Sequence, residues 1–116
     1  MTGYVFLLTY ERSYWDTASA EVQEETYAAH DAFHAFVRDK GTLVASAALA
    51  DDDVATTVRH RDGEVVITDG PFTETTEMIG GYYEVDLPDL DTALAGAAML
   101  PAQYSVEVRP TIQVGP

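Results

Sequence analysis

Residues 4–10 read Tyr-Val-Phe-Leu-Leu-Thr-Tyr, a run that is apolar at odd and even positions alike. Strand side chains point alternately to the two faces of a sheet, so such a run expects cover on both sides and a central place in its sheet. The rest of the chain offers only two substantial helices, and two helices cover one face. The other face needs a further partner, and a second copy of the chain is the expected one, making a homodimer.

The helices are marked by their ends. Ser19 is a suitable N-cap, with Glu21, Glu24 and Glu25 near the positive end of the helix dipole. The first helix then runs to about Lys40 and stops at Gly41, with Val22, Thr26, Ala29, Phe33, Phe36 and Val37 forming its inward stripe at a 3.6-residue period. Asp89 caps the second helix, whose narrow stripe is Leu90, Ala93, Leu94, Ala97 and Ala98, and Pro101 ends it. Residues 11–18 read as a polar loop.

Strands are expected over residues 42–49, 55–61, 64–68, 82–87 and 104–109. Asp62-Gly63 joins two of them as a hairpin, because both residues tolerate positive φ. Asp69-Gly70-Pro71-Phe72 is a tight turn. The order β-α-β-hairpin-β-α-β is that of an α+β, ferredoxin-like fold with an inserted β-hairpin, a single domain over residues 1–116.

Composition removes several classes of function. The chain has no cysteine, which excludes disulfides, thiolate nucleophiles and thiolate metal sites. Twenty acidic residues against six scattered basic ones give a net charge of −14, so no nucleic-acid partner is expected. That acidity serves solubility or forms a dock for a basic partner. No apolar run approaches the ~20 residues of a membrane helix, and the N-terminus lacks a basic n-region, so a cytoplasmic protein with no membrane association is expected. With no glycine-rich nucleotide motif, no cofactor is expected either.

The segment VRHRDGEVVITDGPFTETTEMIGGYYEVD carries a hairpin, then Asp-Gly-Pro-Phe, a Glu-Thr pair and a Gly-Gly-aromatic strand. Around it stand Ala29, His30 and Phe33 as an Ala-His-x-x-Phe step and a closing Glu107–Pro110. This pattern resembles the DGPF-domain branch of the YCII-related family, over essentially the whole chain. The resemblance implies a dimeric α-β barrel with a pocket in each subunit and a His–Asp pair of acid-base type. One relative eliminates chloride from a chlorinated aromatic, and DGPF proteins tend to be encoded beside extracytoplasmic-function sigma factors. Thr76 stands where relatives usually have Lys, which puts any role of that Lys in doubt here.

Among residues able to carry chemistry, His30 falls at the edge of the first helix's core stripe. It either faces a pocket, where an imidazole moves protons near neutral pH, or bonds to backbone at the core boundary. Asp69 is its expected partner, fixing one tautomer and raising the ring's pKa above the ordinary value; alternatively Asp69 bonds only its own turn. His34, one turn beyond His30, is expected in solvent, without a third residue to make a metal site. His60 is assigned to a solvated strand face.

Gly70, Pro71, Phe72 and Tyr82 are expected to line the cavity. Arg109 either holds an anionic group there or pairs across strands with Glu84 or Glu107. Two functions remain open. One is a cofactor-independent acid-base enzyme acting on a small aromatic or carbonyl-bearing molecule through His30 and Asp69. The other is a binding or regulatory module, for a small-molecule ligand or a protein partner.

Overall fold

The computed structural model describes residues 1–115. The chain runs β1 (Thr2–Glu11), α1 (Tyr14–Thr17), α2 (Ala20–Lys40), β2 (Thr42–Ala48), a 3-10 turn at Asp52–Val54, β3 (Thr56–Arg61), β4 (Glu64–Asp69), β5 (Glu77–Leu87), α3 (Leu90–Ala97) and β6 (Ser105–Pro110). Four strands make an antiparallel sheet in the order β2-β5-β1-β6, while β3 and β4 form a separate two-stranded ribbon. This is an α+β arrangement consistent with a ferredoxin-like fold, and the apolar run at residues 4–10 sits centrally in the sheet. Among the described residues no helix is long and apolar enough to cross a membrane.

Alternation along the strands decides where the core lies. Tyr4, Phe6 and Leu8 of β1 and Tyr83, Val85 and Leu87 of β5 point to the face that Phe33 and Val37 of α2 and Ala93 of α3 cover. Phe6 and Phe33 meet with ring centroids 5.3 Å apart. Val5 and Leu7, on the opposite face, are only half-buried. The molecule is 18 Å across its thinnest direction, room for one sheet and one helical layer.

Both expected caps form. Ser19 Oγ accepts from the Val22 amide at 3.2 Å, and Asp89 Oδ1 from the Thr92 amide at 2.8 Å. Each satisfies an amide that the helix leaves unpaired, a contribution of about 1 kcal/mol. The ribbon turns at Asp62 and Gly63, both at positive φ (55° and 79°). Its base is closed by Gly70 N–H donating to the Ala55 carbonyl and Thr57 Oγ1 donating to the Gly70 carbonyl, each at 2.7 Å.

Residues 11–18 are not a plain loop. Tyr14–Thr17 form a helical turn in which the amide and the hydroxyl of Thr17 both donate to the Ser13 carbonyl, at 2.9 and 2.7 Å. The Tyr14 hydroxyl bonds that of Thr26 on α2. These local bonds overrode the polar composition that suggested a loop.

Candidate functional site

On α2, His30 and His34 stand one turn apart beside the inward stripe, both against Tyr83 within β5, with His30 also reaching Tyr104. Tyr83 closes one apolar row there and Tyr104, just before β6, closes the other. Two rows of core side chains thus end in hydroxyls where the helix turns polar.

A bulge completes the wall. In the β1–β5 register Leu8 pairs with Gly81 and Thr9 with Ile79, leaving Gly80 as the extra residue. A Cβ on Gly80 would overlap the Tyr10 ring, so only glycine leaves that ring its place. Tyr10 then stacks on Tyr104, with centroids 5.0 Å apart and planes 25° apart. Tyr14 meets the same pair, 5.5 Å from Tyr10 and 5.8 Å from Tyr104.

The polar atoms form a line. His30 Nδ1 lies 2.6 Å from the Tyr83 hydroxyl, and His30 Nε2 lies 3.0 Å from the Tyr104 hydroxyl. The Tyr83 hydroxyl also lies 2.8 Å from His34 Nε2. A phenol has one proton, so when both histidines are neutral Tyr83 donates to one of them and accepts from the other. The two histidines are therefore coupled through a single oxygen.

Burial sets the protonation states. It lowers the pKa of His30, an effect His34 reinforces and the nearby Asp31 carboxylate opposes. Burial pushes Tyr83 up to about 12, with Asp31 adding to it, and raises Tyr104 as well. Near neutral pH the cluster is thus an uncharged imidazole held between two protonated phenols.

This cluster opens on a cleft of about 460 Å³, whose walls include Tyr10, Trp15, Tyr27, Tyr82 and the edge strand at Ser46–Ala48. Trp15 stands edge-on to Tyr27, 5.4 Å away. The volume is that of an ordinary small-molecule site. Among the described residues no group of three or more His, Cys, Asp or Glu side chains is placed to hold a metal ion.

The YCII-related domain matches residues 4–113, nearly the whole chain. The chain belongs to the YCII-related family. An uncharacterized protein of Rhizobium meliloti (strain 1021) is 42% identical to it over 76 residues, which is 62% of this chain and 61% of that protein. The match therefore spans less than two thirds of its relative's length.

In this YCII-related chain the residues singled out from the sequence divide among several places. His30 and Tyr82 line the cleft described above. Pro71 and Phe72 line a second, mostly apolar cleft of about 800 Å³ with Thr9, Thr57, Met78 and Ile79. Asp69 is exposed at the end of β4, opposite Thr56, and Gly70 follows it at a φ of 103°. Arg109 is exposed and pairs with Glu107 on its own strand, on the sheet face away from His30.

Three expectations change. Both ring nitrogens of His30 are engaged by tyrosines, and Asp69 is not among their partners. The pKa of His30 is lowered where a raised one was expected, because burial and His34 outweigh the one carboxylate in reach. His34 is half-buried and bonded to Tyr83, where a solvated ring was expected, since the helix turns it toward β5. Tyr83 and Tyr104 are the site residues that sequence reasoning missed. The signal for them was present: tyrosine in place of phenylalanine at the ends of two core rows, facing a helix with histidines at i and i+4.

Proposed function

We propose that the chain is a cofactor-independent acid-base catalyst that moves a proton on a small, flat molecule held in the His30 cleft. The observation that carries this reading is a half-buried imidazole whose two nitrogens both meet tyrosine hydroxyls at the wall of that cleft. Environment pushes the two kinds of group apart. The histidine stays neutral and can accept a proton, while the tyrosines stay protonated and can donate one. The aromatic walls suit an aromatic or conjugated carbonyl compound. Within one chain the orienting role falls to Tyr83 and Tyr104, and Asp69 stands outside this arrangement.

The reading extends to a cytoplasmic homodimer of the DGPF branch. The exposed apolar side chains of the ribbon and the half-covered outer sheet face support a second copy as the missing layer.

The test is incorporation of solvent deuterium into a panel of small aryl ketones, followed by NMR. The wild-type protein is expected to accelerate exchange at the carbon beside the carbonyl, and His30→Gln to return it to the uncatalysed rate. Ligands that bind in the cleft without exchanging, in wild type and variant alike, would make the protein a binding module instead.

A further inference from the structure

We propose that His34 is the solvent end of a proton relay running His34–Tyr83–His30–Tyr104, and that the substrate class is molecules that lose a proton at one atom and regain one at another. This rests on the acid-base reading of the same cleft.

The relay follows from counting protons along the line. Each of its three links holds one hydrogen, so the neutral chain has two self-consistent polarities. In the first, the Tyr104 hydroxyl donates to His30 Nε2, His30 Nδ1–H donates to the Tyr83 oxygen, and the Tyr83 hydroxyl donates to His34 Nε2. In the second, every link is reversed: His34 Nε2–H donates to Tyr83, Tyr83 to His30 Nδ1, and His30 Nε2–H to Tyr104. The Tyr104 proton then points away from His30, toward the cleft it lines. Among the described residues His34 Nδ1 has no hydrogen-bond partner, yet no buried side-chain nitrogen or oxygen is left without one. That nitrogen therefore reaches solvent.

Passing from the first polarity to the second moves one proton from cleft to water. A substrate proton goes to the Tyr104 oxygen, whose own proton goes to His30 Nε2. The Nδ1 proton of His30 goes to Tyr83, the Tyr83 proton to His34 Nε2, and the Nδ1 proton of His34 to water. The reverse passage takes a proton from water and delivers one from Tyr104 to the substrate. Each stroke leaves the line set for the other, so no ring has to turn over between them. That alternation suits a reaction with one abstraction and one return, such as a keto–enol or double-bond shift, in which the returned hydrogen comes from solvent.

Charging His34 locks the polarity. With both of its nitrogens protonated, His34 can only donate to Tyr83, so the Tyr83 hydroxyl donates to His30 Nδ1 and fixes His30 as its Nε2–H tautomer. The other titratable groups along the line are Asp31 on α2, Tyr83 on β5 and Tyr104 before β6, with Tyr10 on β1 and Tyr14 on α1 packed against Tyr104. Asp31 is exposed.

Ring nitrogen-15 spectra of the intact protein, labelled at histidine and titrated toward acid, test the relay. His30 is expected to switch to the Nε2–H tautomer in the same step that charges His34, and to lose that switch in Tyr83→Phe. Tyr83→Phe keeps the ring that packs 4.5 Å from Phe33. If it nonetheless fails to fold, His34→Gln, which can bond Tyr83 but cannot charge, is expected to abolish the same step. A His30 tautomer unchanged through the titration, or a switch that survives either variant, overturns the relay while leaving catalysis by His30 intact. A switch in a protein that exchanges no hydrogen into aryl ketones leaves the wiring and overturns the substrate class.

Discussion

Phe33 and Ile67 are both large and apolar, and the fold treats them in opposite ways. Phe33 on α2 is 0% exposed against the sheet, whereas Ile67 on the ribbon is 66% exposed. The rest of each region follows suit: Phe6, Val37, Val85 and Leu87 are wholly buried, while Val58, Val65 and Phe72 face solvent. The four-stranded sheet and its helices are held by burial within the chain. The ribbon is held by its own backbone ladder and the bonds at its base, and its apolar side chains gain little from this chain alone. The His30 cleft lies in the first region and the Asp69–Phe72 turn in the second, which is why residues adjacent in the sequence pattern are not adjacent in space.

Four measurements would break or sharpen this contrast. The largest effect is expected from Phe33→Ala, which leaves a cavity against Phe6 and Tyr83 and should cost about 3–5 kcal/mol in urea unfolding. A loss below about 1 kcal/mol would mean that the core does not depend on that ring.

Two glycines divide the regions by mechanism. Gly80→Ala forces the Tyr10 ring out of its stack and should cost ~1–3 kcal/mol while perturbing the Tyr10 and Tyr104 ring resonances. Gly70→Ala meets no atom within 4 Å and suffers only from its φ of 103°, so it should cost about 1 kcal/mol and leave the His30 resonances unmoved. Equal disturbance of His30 by both would show that the turn and the cleft are one site.

The third measurement is pH dependence. The folded pKa of His30 lies below its unfolded value, so the unfolded state takes up its proton first as pH falls. Stability from this group is complete above about 6.5 and declines as pH drops from there through the folded value. Replacing it in His30→Gln should flatten that part of the stability curve; an unchanged slope would place the dependence elsewhere.

The smallest expected effect on folding is that of Ile67→Ser, within about 0.5 kcal/mol in dilute protein. In sedimentation the same change should shift a wild-type dimer toward monomer. Wild-type protein that sediments as a monomer at micromolar concentration would remove the second copy, and with it the account of the exposed ribbon.

Much of the frame was legible because local rules governed it. Ser19 and Asp89 cap as their side chains predict, Asp62-Gly63 turns as its tolerance of positive φ predicts, and the parity of residues 4–10 placed β1 centrally. The site was only half legible. His30 was found from its place on the helix, but its partners lie 53 and 74 residues away in sequence and are set by strand register, including the bulge at Gly80. Asp69 had the chemistry of a partner without the position. Tyr83 and Tyr104 look like core residues in a hydrophobic pattern, since a phenol differs from a phenyl ring by one oxygen at its tip.

Trp15, edge-on to Tyr27 at the wall of the cleft, is the chain's single tryptophan. Its indole emission therefore has one source, placed where a bound aromatic molecule would quench or shift it. Ligand titrations can be followed by that emission without any label, and the same signal would report local opening of α1 before it reports loss of the core. The protein carries its own optical probe of the site, and a circular-dichroism melt that lags the fluorescence melt would separate the wall of the cleft from the sheet behind it.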